Sequence, residues 1–262
     1  QRNGVAMQKI KWMRSSTRSS NFSRSSKSSK PVARAVLALS AVASLSFGAI
    51  TASSAAAEPS QPVQASQSRV IVDRTRATTA LAKLVVKGRA PKTGYARELF
   101  SDGWGDIGSC DLRNYILARD LNSVKWRPGE ACMVETGILK DPYTTKVINF
   151  KRGVGTSIKV QIDHVVAVSD AWQKGAQQWN YSKRNSFYND PLNLLAVDGP
   201  TNAAKGDGDA ATWLPPNKAY RCAYVARQIA VKTKYQVWVT SAEKAAMSSI
   251  LATCPGYYLP TK

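Results

Sequence analysis

Four cysteines, Cys110, Cys132, Cys222 and Cys254, constrain this chain most, because oxidised pairs would staple distant stretches of backbone before any core is considered. Their redox state depends on compartment, and the N-terminus bears on that. From Gln1 to Lys30 the chain is serine-rich and basic. An apolar stretch of 16 residues, Ala35 to Ile50, follows, diluted by Ser40, Ser44, Ser46 and Gly48, and Ala55-Ala56-Ala57 stands just ahead of Glu58. Charged segment, short apolar segment and small-residue site together predict a secretory signal peptide over residues 1–57, with an extended basic n-region. The apolar stretch is shorter than the roughly 20 residues that span a bilayer, so no stable membrane association is expected after cleavage. An exported chain meets an oxidising compartment, and two disulfides follow as the expectation. Four cysteines allow three pairings. The local one, Cys110–Cys132 with Cys222–Cys254, is preferred because each bridge closes a modest loop. No C-x-x-C spacing occurs, which argues against structural zinc.

Hydrophobic residues make up 44% of the 262, enough to bury a core and exclude wholesale disorder. There are 37 Lys and Arg against 17 Asp and Glu, a formal net charge of +20. Nine of the basic residues and none of the acidic ones fall in residues 1–57, so the remainder keeps a net +11. That excess points to a polyanionic partner, whether nucleic acid, anionic lipid or acidic wall polymer. The chain has one histidine, His164, so a two-histidine zinc site is impossible and any imidazole chemistry centres on one residue.

Residues 58–92 read as a flexible Pro/Gln/Ser/Ala-rich leader followed by an amphipathic helix over 75–88, ended by Gly88 and Pro91. Residues 93–262 read as one further domain. Within it Tyr95, Phe100 and Trp104 are packing anchors, and Asp111 caps a short helix carrying Leu112, Ile116, Leu117 and Leu121. Two strand-like runs, Cys132–Leu139 and Lys146–Phe150, are joined by a turn at residues 141–145. A third run, Ile158–Ile162, alternates apolar and polar and leads into Asp163-His164. Ser169 is the expected N-cap of a helix through Trp179, Pro191–Val197 is extended, and residues 217–234 are helical. A final helix starts at Thr240 with Glu243 completing a capping box. The class is α+β, a small antiparallel β element surrounded by helices, with no βαβ alternation.

Three pieces carry the chemistry: Ile162-Asp163-His164-Val165-Val166, Leu192-Asn193-Leu194-Leu195 and Asn202-Ala203-Ala204-Lys205. A neutral imidazole is a suitable base for water, and the Asp163 carboxylate and Asn202 amide are hard oxygen donors suited to Mg²⁺ or Mn²⁺. Neighbours in a regular strand point to opposite faces. Asp163 and His164 can therefore share a site only if the strand ends or bends there.

With Cys110-Asp111-Leu112-Arg113-Asn114, Asp141-Pro142-Tyr143, Ser169-Asp170-Ala171-Trp172 and the stretch from Asp190 to Asp207, these segments resemble the HNH (ββα-metal, His-Me finger) endonucleases. The branch they resemble is the secreted bacterial one related to the C-terminal nuclease domain of GmrSD-type enzymes. The resemblance implies a two-strand-plus-helix metal finger with His164 as general base, Asp163 and Asn202 holding one divalent metal, and Asn193 tying the loop and orienting the imidazole. Lys205 is expected to contact phosphate or support the site, and Arg113 and Arg97 are candidate phosphate contacts, Arg113 first because it lies in the Cys-Asp-x-Arg-Asn segment. The third position of the family name is Asn202 rather than histidine, which weakens the case for Zn²⁺ or Ni²⁺. The expected activity is secreted, monomeric, Mg²⁺- or Mn²⁺-dependent cleavage of DNA with little sequence preference, leaving 5′-phosphates. Two other readings fit the charge and the export signal: a non-catalytic module binding DNA or wall polymer, and an RNase or nuclease toxin.

Overall fold

The computed structural model describes residues 75–261. The expected signal peptide and the Pro/Gln-rich leader lie outside them. Both disulfides form in the local pairing, Cys110–Cys132 and Cys222–Cys254. The architecture is α+β, with three small antiparallel sheets set among helices.

The first helix, α1 (Ala77–Lys83), buries Ala77, Ala80 and Leu81 and packs on the two C-terminal helices. It stops five residues short of the sequence expectation. Val85 and Val86 leave it as extended chain, and Val86 pairs with Val239, a contact only the folded chain can offer. Strands β1 (Asp106–Ile107) and β2 (Cys110–Asp111) form a two-residue ladder. Asp111 then caps α2 (Leu112–Asp120) by accepting from the Asn114 amide at 2.9 Å. Leu112, Ile116 and Leu117 of α2 are fully buried, each worth roughly 1.5–3 kcal/mol of burial.

A meander follows, β3 (Asn122–Trp126), β4 (Val134–Lys140) and β5 (Val147–Lys151), with β4 in the middle. Strand β3 has no counterpart in the sequence reading. None of its residues is buried, so the alternation that betrays a half-buried strand is missing. Strand β6 (Val160–His164) pairs antiparallel with β7 (Leu194–Asp198), setting Asp163 opposite Leu195 and His164 opposite Leu194. All five residues of β7 are buried, and the apolar run Leu194–Val197 foretells the first four.

Between β6 and β7 the chain makes two short helices, α3 (Val168–Gln173) and α4 (Tyr181–Tyr188). The expected single helix from Ser169 to Trp179 is thus cut short. Gly175 takes a φ of 123° after α3, and Ala167 rather than Ser169 is the N-cap. The Ser169 hydroxyl donates to Asp207 instead. Helix α4 escaped the reading because only Phe187 and Tyr188, at its very end, are buried, leaving no apolar stripe.

Helix α5 (Gly199–Lys205) follows β7 directly, capped by Asp198, which accepts from the Thr201 amide. Position 199 requires glycine: a Cβ there would sit 2.2 Å from the Ile158 carbonyl oxygen. Residues 206–214 hold turns. Helices α6 (Arg221–Tyr235) and α7 (Ser241–Ala252) complete the fold.

A buried ionic network joins α3, α6 and α7 to the 206–214 turns. Lys174 meets Glu243 at 2.6 Å, Asp170 at 2.7 Å and Asp209 at 2.8 Å, and Lys232 meets Glu243 at 2.9 Å and Asp170 at 3.2 Å. Arg89 closes it from the surface side against Asp170 and Asp209. Glu243 therefore corrects the capping-box expectation in part. Its amide donates to the Thr240 hydroxyl at 3.1 Å, but its carboxylate is turned inward to the two lysines.

Candidate active site

Strands β6 and β7 with α5 make a ββα unit that gathers most of the expected site residues. Register places Ile162 and His164 on the face of Leu194 and Ala196, and Asp163 on the opposite face with Leu195 and Val197. Strand β6 ends at His164 and the chain bends at Val165–Val166. Both side chains therefore reach one cavity of about 520 Å³ at the strand end, lined also by Arg97, Lys92, Ser169, Asn202 and Asp207.

The bend is pinned by Asn193. Its amide oxygen accepts from the Val166 amide at 2.8 Å, its amide nitrogen donates to the Val166 carbonyl at 3.3 Å, and its own carbonyl accepts from Val165 N. From the other side, Gln228 on α6 donates to the Val165 carbonyl at 3.1 Å. Asn193 thus bonds the backbone just after His164, and the group that bonds the imidazole Nε2 is the Tyr188 carbonyl.

His164 Nε2 lies 2.8 Å from the Tyr188 carbonyl oxygen, and Nδ1 lies 3.4 Å from Arg97 Nη2. A carbonyl can only accept and a guanidinium can only donate, so both partners dictate one tautomer, Nε2–H with a lone pair on Nδ1. The ring is stacked on Trp104, with centroids 5.7 Å apart and planes 11° apart, and tilted against Tyr188 at 4.4 Å. Its residue is 5% exposed. Burial, reinforced by the Arg97 guanidinium, holds the imidazole neutral and lowers its pKa to about 3.

Asp163 is held from two sides. Oδ2 accepts from the Tyr143 hydroxyl at 2.6 Å, and Oδ1 accepts from Lys205 Nζ at 2.8 Å. Burial and the neighbouring Asp163 carboxylate push the Tyr143 hydroxyl well above its ordinary pKa, so it remains a donor. Lys205, itself buried, also donates to the His164 carbonyl at 2.9 Å, tying α5 to the end of β6. Asn202, which lines the cavity, donates through Nδ2 to Gln161 Oε1 at 2.9 Å, so its amide oxygen remains as an acceptor.

This donor set fits a hard divalent cation with few protein ligands. Among the described residues no group of three or more His, Cys, Asp or Glu stands ready to hold a metal. The protein would then contribute one carboxylate, Asp163, and one amide oxygen, Asn202. Mg²⁺ tolerates that, because it keeps several waters and takes substrate phosphate oxygens. Lys205 shares Oδ1, and a carboxylate oxygen has a second lone pair to offer.

Two arginines were singled out for phosphate. Arg97 lines the cavity and is exposed, with its Nε donating to the Tyr188 hydroxyl at 3.2 Å and its guanidinium 5.0 Å from the Tyr188 ring centroid. Arg113 lies outside the cavity lining. Its guanidinium donates to the carbonyls of Val160, at 3.2 Å, and Ser157, at 3.5 Å, bracing the entry to β6. Lys205 is likewise an interior strut.

Tyr143, Tyr188 and Gln161 have no role assigned by sequence pattern, and Trp104 stands out there only as a packing anchor. Tyr143 carries a signal, since Asp141-Pro142-Tyr143 is among the segments on which the family resemblance rests. Tyr188 acts on the imidazole through its backbone carbonyl, which leaves no side-chain signature.

Residues 111–250 match the family described as GmrSD restriction endonucleases, C-terminal domain. A relative from Arthroderma benhamiae, named only as an uncharacterized secreted protein, is 37% identical over 186 residues, covering 70% of this chain and 87% of the relative. With more than half of its length matched and the ββα unit inside the matched span, the chain belongs to the family of the GmrSD C-terminal domain, a family of HNH-type nucleases.

Proposed function

We propose that this chain is a secreted endonuclease that hydrolyses phosphodiester bonds of DNA with little sequence preference, acting as a monomer with one Mg²⁺ or Mn²⁺ per site. The observation that carries the reading is the convergence on one cavity of an imidazole in a defined tautomer, a carboxylate, an amide oxygen and an exposed guanidinium. Export is supported by the N-terminal pattern and by the name of the relative, and among the described residues no helix is long and apolar enough to cross a membrane. Loose sequence preference follows from the net +11 of residues 58–262, since charge-driven binding reads phosphates and not bases.

In this reading His164 takes a proton from water at Nδ1, the nitrogen that the Tyr188 carbonyl leaves with a lone pair. Arg97 grips non-bridging oxygens of the scissile phosphate, a geometry its planar fork suits. Lys205 and Tyr143 hold the Asp163 carboxylate in place, while Asn193 and Gln228 fix the bend that presents His164. Held by Asp163 and the Asn202 oxygen, a divalent cation would supply positive charge where negative charge develops on the phosphate. Arg113 acts on the site only through the backbone of residues 157–160.

The test is digestion of supercoiled plasmid by the purified protein with Mg²⁺ or Mn²⁺, stopped by EDTA, with RNA run in parallel. Replacing His164 by alanine should slow cleavage by roughly 10²-fold or more, the worth of a positioned base. A variant that digests plasmid at the parent rate removes His164 from the mechanism. Binding of DNA without cleavage in any divalent metal overturns the enzyme reading in favour of a binding module. Sequencing the N-terminus of protein recovered from the medium should return Glu58.

A further inference from the structure

His164 is buried at the edge of the cavity, and the groups around it differ in how firmly they are held. Trp104 stacks on the ring and Tyr188 is tilted against it, the two aromatic rings also meeting each other with centroids 5.5 Å apart, while the Tyr188 carbonyl takes the Nε2 proton. Tyr188 is buried at the end of α4, and Trp104 is half-buried. Arg97 is the exception. It covers Nδ1 from an exposed position, anchored through Nε to the Tyr188 hydroxyl.

Nδ1 has a single lone pair. While it accepts an N–H from Arg97 it cannot accept a proton from water, so the imidazole in this arrangement is oriented for base catalysis but covered. The covering bond is 3.4 Å long, at the weak edge of hydrogen-bonding distance. Guanidinium–phosphate bonds form at roughly 2.7–2.9 Å and are about twice as strong as neutral ones. A phosphodiester arriving in the cavity competes for the Nη2 of Arg97 on better terms than the imidazole does.

We infer that Arg97 is a substrate-operated cover on the general base: a phosphodiester draws its guanidinium off His164 Nδ1, and the same movement that grips the phosphate frees the lone pair for water. This rests on the nuclease reading above and deepens it. The arrangement leaves the base blocked until the correct chemical group is present. Tyr188 serves as the pivot, since it can keep Arg97 Nε while the Nη end moves.

Because His164 is the sole histidine, protein labelled with ¹⁵N-histidine has one pair of ring-nitrogen resonances, and both nitrogens can be followed at fixed pH in EDTA, without metal or cleavage. The probe is dimethyl phosphate, a phosphodiester with no proton of its own to donate. It should move the Nδ1 resonance while leaving Nε2 in place, and Arg97→Ala should move Nδ1 in the same direction with no phosphodiester present. Carbethoxylation of His164 by diethyl pyrocarbonate should run roughly tenfold faster in Arg97→Ala, the equilibrium worth of one hydrogen bond to a charged group. Arg97→Lys, which keeps the charge without the fork, should fall between. An Nδ1 resonance that stays put on adding dimethyl phosphate, or a carbethoxylation rate in Arg97→Ala equal to the parent's, overturns the cover. These measurements need no turnover, so a plasmid assay that fails in every metal condemns the nuclease reading alone, and a still Nδ1 in a protein that cuts DNA condemns the cover alone.

Discussion

The Asp163–Lys205 pair and the network of Lys174 and Lys232 are built from the same parts, buried ammonium groups against buried carboxylates, and their surroundings are opposite. In the network both lysines are fully buried and bridge the same two acids, Asp170 and Glu243, with Lys174 taking Asp209 as well. Burial works against the Lys232 charge, but Asp170 and Glu243 outweigh it and raise its pKa. Asp209 is held down to about 2, Lys174 and Arg89 overcoming the burial that would raise it. At the site, by contrast, Asp163 has one lysine and one tyrosine and borders a cavity shared with Asn202 and an exposed arginine. Buried charge alone therefore does not mark a functional site in this protein. The candidate site differs in that its carboxylate borders a cavity.

That contrast can be broken at several points. The largest effect belongs to Glu243→Ala, which strands both network lysines without their shared acid. Urea denaturation should show a loss of about 3–5 kcal/mol, with cleavage by the remaining folded protein unchanged. A loss below about 1 kcal/mol would mean that the network does not hold α3, α6 and α7 together. Tyr143→Phe should cost less, about 1–3 kcal/mol, by leaving Asp163 Oδ2 short of a donor. Unlike the network variant it should also lower cleavage, because Asp163 is then free to shift.

Acid should separate the two regions by pH. His164 has a folded pKa near 3 against an ordinary value of 6.5, so between those values the unfolded chain binds a proton that the folded chain refuses. Stability should fall on acidification through that window, with a slope approaching about 1.4 kcal/mol per pH unit. Asp209 adds a second loss lower down, from its ordinary 3.8 toward about 2, where its network carboxylate is forced to protonate. Denaturation midpoints of His164→Gln should lose the upper window and keep the lower one. The smallest effect is expected at Lys92, whose 2.9 Å pair with Asp207 is half exposed on both sides. Lys92→Ala should change stability by less than about 1 kcal/mol, and a larger loss in the same denaturation series would give this cavity-rim pair a structural weight its exposure denies.

Legibility in the sequence followed the range of the interactions. The Asp111 cap, the Thr240 hydroxyl cap and the apolar run of β7 are local features, set within a few residues, and they could be read directly. Strand β3 and helix α4 bury too little to show a period. Val86 leaves its helix for a partner more than a hundred residues away, and Glu243 looked like half of a capping box because nothing local names its lysine partners.

What the sequence by itself determined is the inventory and its order: one imidazole, a carboxylate beside it, two asparagines and a lysine downstream, and four cysteines spaced to close modest loops. Covalent order and short-range hydrogen bonding suffice for that. Only the tertiary structure decided which nitrogen of His164 carries the proton, that a backbone carbonyl from α4 holds it, that Arg97 lies over the other nitrogen, and that Arg113 braces a strand away from the cavity. Those outcomes depend on distances between segments remote in the chain, which are set by packing the ββα unit against its neighbours and not by any residue's own preference.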